Sequence, residues 1–222
     1  MSTDPWPLFS LELRTPRLEL HPVRDADLGP LAEAALAGVH ESGRSPFPSP
    51  WAEAPAERLP GELARFHWSQ RAQTTWESWR VAFAVVEDGR VVGCQDVVAE
   101  SFAATRTLTS GSWLTRSAQG RGLGREMRAA VLLLAFDHFG AEVAESAALA
   151  WNTRSIRVSE ALGYRPNGTH RIVGPDGMSV EELRFRVTPE TLVRPEWTLE
   201  ASGIDAARAV LVQDPLGPPS PV

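Results

Sequence analysis

Apolar and polar positions along this chain follow two different periods. Residues 18–23, Leu-Glu-Leu-His-Pro-Val, alternate as a short strand does. The spacing then turns helical, with Leu28, Leu31, Ala35 and Leu36 on one side and Asp25 or Asp27 placed to cap, which predicts a helix to about Ala37. Residues 41–61 lose the pattern. Pro46, Pro48, Pro50, Pro55 and Pro60 among serines read as a long irregular loop, and loops of this length are often functional. A second helix is expected over residues 62–79, carrying Leu63, Phe66, Trp68 and Trp76. Residues 81–87 and 90–100 read as two strands joined by Asp88-Gly89, the strongest short hairpin signal. A third strand ends in Gly111-Ser112-Trp113-Leu114-Thr115.

After a glycine-rich turn, Leu123, Met127, Val131 and Leu134 set a helical period over residues 123–139, and Gly140 suits its end. A mostly apolar strand is expected over 141–149, and a helix over 152–162 stopped by Gly163. Two strands, 169–173 and 180–187, follow across Pro175-Asp176-Gly177. Residues 196–212 have room for a further strand and a helical turn, and the proline-rich end from Asp214 reads as disordered. The order predicts an α/β (α+β) fold around one mixed sheet.

Composition narrows the function. With 222 residues the chain suits one domain, or one domain with a terminal extension. No apolar run approaches the roughly 18 residues of a membrane span, and the N-terminus lacks a secretory pattern, so a cytoplasmic protein is expected. A net charge of -6 argues against a general nucleic-acid binder. All 22 basic residues are arginine, which excludes a lysine-dependent phosphate loop and any acylation of the chain's own lysines. The single cysteine, Cys94, lies in a strand-like run and reads as a buried thiol rather than a nucleophile. The five histidines show no metal spacing, and no metal is expected.

The densest chemistry lies in Gln119-Gly120-Arg121-Gly122-Leu123-Gly124-Arg125, between a strand and an amphipathic helix. Glycines let an anion approach the backbone, and a helix start offers unpaired N–H groups at the positive end of its dipole. Arg121 and Arg125 add charge, so the turn is expected to hold a phosphate-bearing ligand. A dinucleotide fingerprint is disfavoured, because Arg125 stands where its last glycine is needed and residues 116–119 separate the turn from the strand.

Gln119-x-x-Gly122-x-Gly124 resembles the pyrophosphate-binding signature of the GNAT N-acetyltransferase superfamily. Asn152-Thr-Arg-Ser155-Ile156, running on to Leu162-Gly163-Tyr164, resembles its second signature. The opening Leu13-Arg14-Thr15-Pro16-Arg17-Leu18 is similar to the RimJ/RimL-like branch. The resemblance covers about residues 10–190, leaving 191–222 as a C-terminal extension. It implies a mixed, mostly antiparallel sheet whose central strands splay, with acyl-CoA in the cleft. It further implies direct acyl transfer in a ternary complex from acetyl-CoA or succinyl-CoA to a primary amine, without a covalent enzyme intermediate.

By the same resemblance, Trp113, Leu114 and Thr115 pair with the pantetheine arm. Gln119, Gly120, Arg121, Gly122, Leu123, Gly124 and Arg125 hold the pyrophosphate, while Asn152 and Ser155 lie along the arm. Ser159 occupies the position where many members carry a catalytic tyrosine. It is expected to donate a hydrogen bond to the leaving sulfur, because a serine is a poor true acid for a thiolate of pKa about 8.5. On a helical wheel Ser155 and Ser159 fall within roughly 60° of Asn152, on the apolar side. Tyr164, the only tyrosine, fits the core position of its motif. The general base stays open among Asp96, Glu100 and Glu145, with His40 near the expected acceptor side.

The acceptor is expected under the first two helices and the loop Phe47-Pro48-Ser49-Pro50-Trp51, and a protein N-terminus, a small amine and an aminoglycoside all remain open. The C-terminal extension offers a strand for a homodimer. Two other classes fit the residues: a non-catalytic acyl-CoA sensor, and an interaction module whose glycine turns are only architectural.

Overall fold

The computed structural model describes residues 5–41 and 43–212; the proline-rich end from residue 214 lies outside the described residues. The elements run β1 (Glu12–Arg14), β2 (Glu19–Pro22), α1 (Leu28–Leu36), α2 (Leu59–Gln73), β3 (Ser78–Glu87), β4 (Arg90–Glu100) and the single turn α3 (Phe102–Thr105). Then follow β5 (Thr107–Leu114), α4 (Leu123–Leu133), β6 (Val143–Leu149), α5 (Thr153–Ala161), β7 (Arg165–Val173), β8 (Ser179–Val187), β9 (Glu200–Ser202) and α6 (Ile204–Leu211). The chain forms one nine-stranded sheet in the order β7-β8-β6-β5-β4-β3-β2-β1-β9. The β5–β6 pair is parallel and every other neighbour is antiparallel. This is the mixed, mostly antiparallel sheet with flanking helices expected from the sequence.

Strand alternation sends side chains to two separate cores. On β4, Val97 and Ala99 join the main cluster with Met127, Val131 and Leu134 of the α4 segment. Cys94, of opposite parity, packs against Leu31 of α1. α4 is buried nearly all round, so the charged Glu126 and Arg128 are carried into the interior with their apolar neighbours. Beyond Leu133 the helix widens over Leu134–Phe139 and stops at Gly140 in the left-handed region, where the sequence placed its end.

The expected second helix was too long. It ends at Gln73, and a turn in which Thr75 accepts from the Ser78 N–H starts β3. Trp76 and Trp79 sit three apart, a spacing that suits a helix, yet Trp79 belongs to a strand face with Val81, Phe83 and Val85, all buried. One short strand, β1, was missed, its three residues being too brief for a period to register, while β9 and α6 fall where a further strand and a helical turn were expected.

The segment after residue 190 runs into the same body. Leu192, Ala207 and Leu211 enter the main core, and the Val193 N–H donates to Leu162 O at 3.1 Å. β9 of this segment pairs antiparallel with β1 of its own chain and forms one edge of the sheet.

Candidate active site

The sheet opens at its centre. β5 and β6 pair only through Thr107↔Val143, Leu108↔Ala144 and Thr109↔Glu145, although β5 continues to Leu114 and β6 to Leu149. Beyond Thr109, β5 stays with β4 as far as Gly93↔Leu114, while β6 stays with β8 as far as Leu149↔Glu182. Two strands that part while each keeps its other neighbour leave a wedge with backbone groups along both walls. The Thr115 N–H donates to Val92 O, so alternation turns the backbone groups of Ser112 and Leu114 toward the wedge.

At the mouth of the wedge lies the glycine turn. Gly120 and Gly122 have φ of 75° and 84°, and Gly122 is the N-cap of α4. A side chain in that conformation is strained, which is why glycine stands there. The N–H groups of Arg125 and Glu126 fold back onto Gly122 O at 3.1 Å each. Among the described residues, those of Gly120, Arg121, Gly122, Leu123 and Gly124 meet no backbone acceptor. Five consecutive free donors at a helix start form an anion cradle.

The side chains of the turn divide by task. Arg125 is exposed and carries a cation on the first turn of α4. Arg121 forms a bidentate pair with Glu87, 2.7 Å at each contact. Gln119 is a latch: its amide donates to Val39 O (2.7 Å) and Leu114 O (2.8 Å), and its oxygen accepts from Arg154 (2.6 Å). Leu123 is fully buried, and a Cβ on Gly124 would touch Leu114 and Val158 at 3.9 Å. Thr115 is buried, with its hydroxyl toward Gly38 O.

Asn152 caps α5. Its Oδ1 accepts from the Ser155 N–H at 3.2 Å, and its Nδ2 donates to Pro46 O at 3.3 Å. The cap therefore ties α5 to the proline-rich loop. Trp151 strengthens this seam, donating to Ser45 O at 2.9 Å under the Arg44 guanidinium. From that loop Phe47, Trp51 and Trp113 form a chain of tilted rings with centroids 5.2 and 5.4 Å apart. Trp113 thus faces the loop side, and Leu114 faces α4.

Beneath β5 on the α4 side is a buried polar cluster that the sequence reading missed. Arg128 donates to Ser159 Oγ at 2.9 Å and reaches Ser112 Oγ at 3.5 Å. Ser159 is fully buried. Arg128 Nε and Gln95 Oε1 are buried without a hydrogen-bond partner, and the buried Ser110 Oγ and Tyr164 OH lie beside one another. Burial lowers the Arg128 pKa and raises that of Tyr164, the latter against the pull of Arg128. The signal for Arg128 was present in the sequence, as an arginine inside an apolar run on the core-facing helix.

Two of the carboxylates considered as bases are committed elsewhere. Asp96 is paired with Arg80 at 2.6 Å, and burial raises its pKa despite that partner. Glu145 meets Arg184 at 2.9 Å and Asn167 at 3.1 Å. His40 lies 3.2 Å from Glu53 and bonds Glu41 O through Nδ1. Glu100 is exposed at the end of β4. The described residues contain no group of three or more histidine, cysteine or acidic side chains able to hold a metal.

The profile of the acetyltransferase (GNAT) domain matches residues 17–165, more than half of the chain. Among solved structures, Mycobacterium smegmatis RimJ in complex with CoA-disulfide superimposes with a TM-score of 0.70 at 22% identity, over 91% of this chain and 95% of that one. A GCN5-related N-acetyltransferase from Brucella melitensis gives 0.66 at 18% identity, over 81% of this chain and 79% of that one. The ribosomal-protein-S5-alanine acetyltransferase of Vibrio fischeri gives 0.63 at 15%, over 80% and 96%. At these identities the likeness is one of fold.

Proposed function

Because this chain belongs to the acetyltransferase (GNAT) family, we propose that it moves an acyl group from coenzyme A directly to the α-amino group of a protein N-terminus or a small α-amine. The row of five free N–H groups from Gly120 to Gly124 carries the reading. Those donors and Arg125 fit the pyrophosphate, and the wedge walls at Ser112 and Leu114 fit the amide-bearing arm. Trp113 closes the loop side of the wedge, and Asn152 and Ser155 flank it from α5. The Thr15-Pro16-Arg17 opening supports the RimJ/RimL-like branch.

The pairing of two of the candidate bases supports an α-amine acceptor. Asp96 and Glu145 both hold arginines, so neither is free as a strong base. An α-amine, with pKa about 8, is already partly neutral near pH 7, whereas a lysine amine at about 10.4 is not. An acceptor such as the one in the name of the V. fischeri enzyme meets that requirement. The acyl group is acetyl by family default, with succinyl as the second donor to be tried.

Calorimetric titration with acetyl-CoA, succinyl-CoA and desulfo-CoA tests the site on the wild type and on Gly122→Trp. Binding that is lost in the variant is expected. No binding of any of the three to the wild type would overturn the reading.

A further inference from the structure

Arg128 is a guanidinium 4% exposed, with no carboxylate beside it among the described residues. Its contacts are two serine hydroxyls, and its Nε has none. A buried cation is costly unless paired. Glu126, two positions earlier on the same helix, is turned away to Thr15 and Arg17. The fold therefore supplies no counter-charge, and the position of Arg128 indicates what does. It stands six residues beyond Gly122, about 9 Å along α4. It reaches Ser112, on the part of β5 that β6 has left. The phosphates of coenzyme A would stay at the head of the helix, and the anion that the reaction itself creates deeper in the wedge is the thiolate.

We infer that Arg128 is a positioning residue for the leaving sulfur, acting through Ser159 so that coenzyme A departs as its thiolate. This rests on the acyltransferase reading above. The Ser159 oxygen accepts from Arg128, which leaves the hydroxyl proton free to donate, and a cation behind a hydroxyl strengthens that donation. The amine lone pair attacks the thioester carbonyl and the C–N bond forms. The tetrahedral adduct collapses, the C–S bond breaks, and its electron pair stays on sulfur, held by the Ser159 O–H. The surplus proton leaves from nitrogen to water. Serine keeps its own proton, so its weakness as an acid is no obstacle.

Ser159 is the only buried residue of α5, and Ile156 and Val158 of the same helix pack against the main core. Of the titratable side chains around this cluster, Tyr164 is the one whose charge reaches Arg128, and burial keeps its phenol protonated.

The test is the ultraviolet titration of the thiol of coenzyme A bound to the wild type, Ser159→Ala, Arg128→Lys and Arg128→Met. An alkyl thiol such as cysteine titrates near 8.5, and the bound thiol is expected about one unit or more lower, a tenfold preference for thiolate. The shift should vanish in Ser159→Ala and Arg128→Met and partly return in Arg128→Lys, while desulfo-CoA binds all folded forms alike. A wild-type thiol that titrates at its free value overturns the inference and leaves the acyltransferase reading standing. Failure of the wild type to bind any form of coenzyme A overturns both. Should the Arg128 variants not fold, the wild type and Ser159→Ala decide.

Discussion

Arg17 and Glu126 are 109 residues apart in sequence and meet beneath the head of α4. Arg17 donates to the carboxylate through its backbone N–H at 3.0 Å and through Nε at 2.7 Å. Thr15 adds a third bond at 2.6 Å, and Arg17 also donates to Arg121 O in the glycine turn at 2.9 Å. One buried carboxylate thus fixes the β1–β2 turn to the anion cradle.

Glu126→Ala should lower stability by about 2 kcal/mol, because the backbone N–H of Arg17 and the Thr15 hydroxyl lose a buried acceptor. The loss stays below that of a fully buried broken pair because the Arg17 side chain is 45% exposed and remains hydrated. Affinity for coenzyme A should fall with it, since the turn loses its brace. Urea unfolding and calorimetry on the same variant check both.

Gly163 has φ of 84°, and a Cβ there would lie 2.0 Å from Thr191 O. Gly163→Ala must strain the backbone and push away the segment that the Val193 N–H pins to Leu162. A drop of about 3 kcal/mol or more is expected, read as a lower thermal midpoint.

His67 is buried on α2, and desolvation, with Arg71 and Arg80 nearby, lowers its pKa from 6.5 to about 4. The unfolded chain therefore takes up this proton first. The contribution of His67 to stability is full above pH 6.5 and declines as the pH falls toward 4, by roughly 3 kcal/mol in all. Asp96, raised by burial, slopes the other way from its ordinary 3.8 upward. The diagnostic is thus the difference between wild type and His67→Gln, which should move against the wild type as the pH falls from 6.5 to 4.

Burial also pushes the Cys94 thiol well above its ordinary value, with Asp96 adding to the shift. Thiol reagents should leave the native protein unmodified and label it fully once unfolded, and Cys94→Ala should retain acyl transfer.

The larger helices and strands were readable because their periods are set by burial on one face. Leu123, Met127, Val131 and Leu134 gave α4, and Asp88-Gly89 gave the hairpin between β3 and β4. Gln119 was readable as part of a motif, but its contacts with Val39 and Arg154 depend on segments far away in the chain. Arg128 and Glu126 were passed over for a related reason. A period averages over positions, and one charged residue inside an apolar run registers as noise until its partners, 31 and 109 residues away, are known. The boundary near Trp76 failed because tryptophans three apart satisfy a helix and, in part, a strand.

β1 lies between β2 and β9, so a strand beginning at residue 12 waits for one ending at residue 202. On a ribosome the outer margin of the sheet therefore stays open until residue 202 has emerged, while the β3–β4 hairpin and the cradle can assemble long before. Leu8 and Leu11, which share a core with Ala207 and Leu211, remain uncovered over the same interval. A nascent chain stalled short of residue 200 would expose that leucine face and a bare strand edge together, the pair of features on which chaperones and proteases act.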